Sequence, residues 1–195
     1  MATVKTSPVT PTARKARTGF IAESGIGRAI AVGAILVVAI ALQSTLLTRL
    51  TFLGVIPQLI VVVVVSLAWS DGERVGAVAG FAGGLLQDLL LLPQSIDGLY
   101  ALVYTLIGFG VGYFRQFSPS DSVWTPVFAT AIASAVAEFG YAFLSILMGQ
   151  RWIGLAFTAK LAGLVVLYNT LLSPFIYPLV NRIAARYRPD KVYRL

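Results

Sequence analysis

Asp88, Glu138 and Lys160 are ionisable side chains set in stretches that otherwise read as aliphatic residues and glycine, so any chemistry has to be sought there first. The first stands in GFAGGLLQDLLLL, residues 80–92. A carboxylate or ammonium group in such surroundings must be paired, be hydrogen-bonded or change its protonation state. It can therefore serve as half of a buried ion pair, as a ligand or proton site, or as a polar contact at a helix seam. Histidine and cysteine are absent, which removes imidazole acid–base work, thiolate chemistry, disulfides and Cys/His metal sites. No HExxH, GxSxG, Walker or clustered carboxylate pattern occurs. The serines have no imidazole to activate them, and Lys160 has a nearer use as a charge partner than in a Ser–Lys dyad. The expectation is no enzyme, no catalytic residue, no metal and no cofactor.

Depth suggests how the charges meet. Glu138 lies ten residues before Met148 and Lys160 eight after Trp152, so each stands about 12–15 Å below the same end of consecutive helices. Antiparallel neighbours would bring them level, and a Glu138–Lys160 buried pair is expected, with a ligand or proton site as the alternative. Asp88 falls nearer the surface, within reach of Arg49 or Arg151.

The elements that must position these groups are membrane helices. Apolar residues make up 57% of the 195 and charged residues only 12%, against about a quarter charged in an ordinary soluble domain; the mean hydropathy is +0.84. Six hydrophobic segments can be drawn, at about 29–48, 51–69, 75–92, 98–114, 123–148 and 152–180, given the roughly 20 apolar residues needed to cross a bilayer. Gly54 and Pro57 interrupt the second early, which predicts a broken or re-entrant entry before the helix through VVVVVSLAW. Pro174 and Pro178 are expected to kink or end the sixth.

Most basic residues fall on one side of these segments; Arg49 and Arg151 fall on the other, and Lys160 lies within the last span. The positive-inside bias predicts both termini in the cytoplasm. The formal charge of +7 then reads as a topology signal and a contact for anionic lipid, with no nucleic acid. Residues 1–27 are expected to be a disordered basic cytoplasmic tail, 28–181 a six-helix transmembrane domain, and 182–195 a basic cytoplasmic tail. In that last tail Arg182, Arg186 and Arg188 would meet headgroups as a topology anchor or dock a partner.

Glycines mark the closest helix approach. Gly76, Gly80, Gly84 and Asp88 recur at i+4 on the third segment, and Tyr100, Tyr104, Gly108 and Gly112 on the fourth. Such stripes pack helices closely, against each other or against a partner.

These ordered features resemble a family, the bacterial rod shape-determining membrane protein MreD. The carriers are LQSTLLTRLTFLGVIPQL across the first two spans and GAVAGFAGGLLQDLLLLPQSIDGLYALVYTLIGFGVGYF after them. One position departs from the pattern, since the family commonly has an acidic residue after the proline and here Gln58 follows Pro57. The resemblance covers about residues 28–185. It implies a non-enzymatic, multi-pass scaffold subunit of the cell-wall elongation complex in the bacterial cytoplasmic membrane. Its implied partners are MreC, RodA and its transpeptidase, and indirectly MreB. The resemblance also implies an all-α fold similar to the six-helix substrate-binding subunits of energy-coupling-factor transporters. That likeness supplies a second reading, a small-ligand binding transporter subunit using Asp88, Glu138, Lys160, Tyr104, Tyr168 and Asn169.

Overall fold

The computed structural model describes residues 12–47, 49, 54–91, 98–118, 124–150 and 154–187. Six α-helices account for most of them: α1 (Thr12–Leu42), α2 (Leu59–Asp71), α3 (Glu73–Leu91), α4 (Leu99–Phe114), α5 (Trp124–Leu147) and α6 (Leu155–Ala185). Among the described residues, three helical stretches are long and apolar enough to cross a membrane: Gly25–Leu47, Trp124–Leu147 and Ala156–Ala185.

α2 organises the bundle. Its run of valines carries no polar face, and Ile60 to Ala68 are buried without interruption, as expected of a helix surrounded on every side. α3, α4, α5 and α6 all pack on it, and α1 adds a further edge. At 13 residues it is about 20 Å long, short of the roughly 30 Å of a hydrocarbon core. It therefore starts inside the bundle, after an irregular stretch that includes Gly54 at φ +81° and the buried Pro57.

The helices at both ends run further than expected. α1 begins at Thr12, so the described part of the expected irregular tail, 12–27, is helical; residues 1–11 lie outside the described residues. α6 runs through Pro174 and Pro178 to Ala185, so neither proline ends it. Each removes one N–H from the helical ladder, and the rest of a 31-residue helix carries the local loss.

At the end of α1 the backbone widens into a π-helical turn over Gln43–Leu47. Thr45 and Ser44 hydroxyls donate to the Ala41 carbonyl there, and Gln43 is turned inward and buried. Such turns commonly mark functional positions.

Candidate functional site: a polar cluster at a buried helix start

A helix start leaves backbone N–H groups without intrahelical partners, and inside a membrane protein side chains must satisfy them. The start of α2 receives them from two other helices. Gln58 N–H donates to Asn169 Oδ1 of α6 at 3.0 Å, and Ile60 N–H donates to Gln43 Oε1 at 3.2 Å. Gln43 in turn donates through Nε2 to Gln87 Oε1 of α3 at 3.2 Å. All three of these side chains are buried.

The Gln58 side chain links this cap to the membrane-embedded acid. Its Nε2 donates to Glu138 Oε1 of α5, and its Oε1 accepts from the Tyr104 hydroxyl of α4 at 3.1 Å. That orientation follows from the donor inventory, because the amide NH2 donates to a carboxyl oxygen and the phenol has a proton to give the amide oxygen. Tyr100 stacks on Tyr141 at 4.2 Å between centroids and meets Tyr104 edge-on at 5.3 Å. On the α6 side Asn169 Nδ2 donates to Ser134 Oγ at 2.9 Å, and Thr130 and Ser173 share a hydrogen bond of 3.0 Å. The polar groups of α2, α4, α5 and α6 are thus largely turned upon one another.

Asp88 serves a second helix start. Gly76, Gly80 and Gly84 face α4, where a methyl group added at each would run into the carbonyls of Gly108, Tyr104 and Tyr100 respectively. Gly108 and Gly112 of α4 meet α3 and the turn before it in the same way, at Gly76 and at Gly72–Glu73. This antiparallel register sets Asp88, one turn beyond Gly84, beside the first free N–H groups of α4. Oδ2 accepts from Gly98 and Ala101, each at 3.1 Å, and Oδ1 from Tyr100 at 3.3 Å. A fully buried carboxylate at the positive end of a helix is stabilised by the dipole as well as by the bonds. Gly98, at φ +93°, turns the chain so that these amides converge.

The other end of α2 is also anchored. Arg28 of α1 bonds Asp71 at 3.2 Å, with the Asp71 side chain 1% exposed. Arg115 Nη1 donates to the Ser70 carbonyl at 2.8 Å, a cation at a helix C-terminus.

The expected Glu138–Lys160 pair is corrected. The Ser134–Asn169 and Thr130–Ser173 contacts fix the α5/α6 register, which puts Glu138 level with Val165 and Lys160 level with Phe143. The two are therefore offset by about five residues, or roughly 7–8 Å along the axis, and Lys160 is exposed. The depth argument assumed that both helices start equally far from their connection, whereas α5 stops at Leu147 and α6 begins at Leu155. Asp88 likewise turns to amides of α4 rather than depending on Arg49, which is exposed; Arg151 lies outside the described residues. The glycine stripes are occupied within the chain by α3 and α4. Arg182 and Arg186 are exposed at the end of α6, and Arg188 lies outside the described residues. Sequence reasoning missed Gln58, Gln43 and Gln87 as site residues and Arg28–Asp71 as an ion pair. The signal available for the glutamines was an amide within an apolar run. Among the described residues no group of acidic side chains could hold a metal ion.

A family model described as rod shape-determining protein MreD matches residues 26–183. The chain belongs to the MreD family. The match takes in every element of the polar cluster and the α3/α4 seam, and it gives this MreD family member a role in rod shape determination as a membrane protein. The family is a structural, shape-determining one and is not known for an enzyme activity. No curated protein and no solved structure matches the chain.

Proposed function

We propose that this MreD family member is a non-enzymatic scaffold of the bacterial cytoplasmic membrane. It crosses the membrane with six segments, both termini inside, binds MreC and so supports RodA and its transpeptidase in lateral peptidoglycan synthesis, with MreB acting indirectly. The observation that carries this reading is the family match over 26–183. The geometry supports it in one respect: Gln43, Gln58, Gln87, Tyr104, Ser134, Glu138 and Asn169 bond one another or the backbone of neighbouring helices, whereas α1, α4, α5 and α6 turn large apolar side chains such as Val37, Leu106, Phe128 and Phe175 outward. Such faces suit lipid and the helices of partner proteins.

The experiment is a mild-detergent pull-down of the tagged full-length protein from its native cells, with copurifying proteins identified by mass spectrometry. Recovery of MreC with RodA and the transpeptidase is expected. Recovery of paired ATPases with a membrane coupling protein would overturn the scaffold in favour of a solute-binding subunit of the energy-coupling-factor type.

A further inference from the structure

An open-sided apolar groove of about 300 Å³ runs between α1 and α6, with α2 beneath it. Ala31, Ala34 and Leu42 line one wall and Ile176, Ile183 and Tyr187 the other, with buried Val63 as part of the floor. The alanines create the groove, and α1 meets α6 only sparsely.

Its dimensions select the occupant. From Ala31 to Leu42 is eleven residues, about 16 Å along the axis, which is roughly one leaflet of a 30 Å hydrocarbon core. A helix of about 10 Å diameter would displace roughly 1,250 Å³ over that length, so a partner helix could rest on the rim but not enter. A single extended acyl chain is slender enough to lie along such an apolar groove, between the two helices. Charge selects the other end of the ligand. Arg186 lies about 60° round α6 from Ile183, on the flank that carries the groove-lining Leu179, Arg182 is one turn before it on that side of the helix, and both are exposed. The acid nearest the end of α2, Asp71, is engaged by Arg28. Tyr187 packs beside Gly27 of α1, at the depth where an amphipathic ring meets headgroups.

We propose that this groove is a binding site for an anionic phospholipid of the leaflet at the arginine-bearing end, with one acyl chain between α1 and α6 and the headgroup at Arg182 and Arg186. The lipid fills the thin α1/α6 contact. With both termini inside, that leaflet is the cytoplasmic one, but the groove is independent of which proteins the chain binds.

Full-length protein purified in mild detergent and stripped of lipid would be titrated with phosphatidylglycerol or phosphatidylcholine in mixed micelles, with bound lipid read by native mass spectrometry and melting followed in parallel. Phosphatidylglycerol is expected to bind in preference and to raise the melting temperature. Each arginine at an anionic surface accounts for about a fivefold preference, so Arg182→Gln/Arg186→Gln should bring the two lipids close to equal. Ala34→Trp, at an exposed position of α1, should fill the groove and abolish retained lipid with unchanged helicity and elution volume. Ala31→Phe repeats the blockade should the tryptophan variant fail to fold. Equal binding of both lipids to the native protein would overturn the proposal. So would undiminished phosphatidylglycerol binding in a folded groove-filled variant. Loss of a copurifying membrane protein from that variant with lipid retained would assign the groove to a protein instead.

Discussion

Replacing Asp88 by Asn tests whether this carboxylate exists to cap α4. Asn preserves the volume and one acceptor oxygen but turns an NH2 group toward amide donors. With its oxygen in the place of Oδ2, the bonds from Gly98 and Ala101 survive, while the Tyr100 N–H, now 3.3 Å from its acceptor, faces another donor. A buried donor left unsatisfied costs about 1–3 kcal/mol, and loss of the negative charge at the helix start adds about 0.3–1 kcal/mol. The expected loss is thus about 2–3 kcal/mol, which at roughly 2–4 °C per kcal/mol for a chain of this length lowers the melting temperature by about 5–10 °C. Asp88→Ala, which removes both acceptor oxygens and with them all three bonds, should lose more. Melting in mild detergent would be followed by size-exclusion, and amide hydrogen exchange would be read on a peptide spanning residues 98–104. Faster exchange confined to that peptide is expected. An Asp88→Asn protein that melts within about one degree of native, or that is destabilised with unchanged exchange at the start of α4, would refute the capping account.

Gly80→Ala should destabilise by about 1–3 kcal/mol, because the added methyl meets backbone of α4 at the Tyr104 carbonyl and the two helices must separate; a native melting temperature would argue against a backbone-to-backbone seam. In a double-mutant cycle, Glu138→Gln with Lys160→Met should be additive, whereas Glu138→Gln with Gln58→Leu should show coupling above about 0.5 kcal/mol. Coupling in the first cycle and additivity in the second would restore the pair that the α5/α6 register denies. Arg28→Gln removes the ion-pair partner of the buried Asp71 carboxylate, and with Arg28 partly exposed a loss of about 2 kcal/mol is expected; adding Asp71→Asn should recover part of it, and no recovery in the melting temperature would mean that the two residues act separately.

What could be read along the chain is what depends on one segment at a time. Segment length and hydropathy mark membrane helices, the glycine spacing marks one face of α3 and one of α4, and the Gly54–Pro57 interruption keeps α2 from starting earlier. Each follows from local backbone preference or from helical period. The family pattern was legible for a related reason, since Gln43, Pro57, Asp88 and Gly98 stand at helix ends or breaks, where few residue types satisfy the backbone. Tertiary structure decided which side chain answers which helix start. Gln43 and Asn169 reach α2 across 17 and 111 residues of chain, and no periodicity within one helix reveals that. The partner of Glu138 was likewise set by axial register: a shift of a few residues between α5 and α6 carries Lys160 away and leaves Gln58, at the buried start of α2, as the donor that meets the acid. Axial register belongs to the packed interface between helices, so only the assembled bundle defines it.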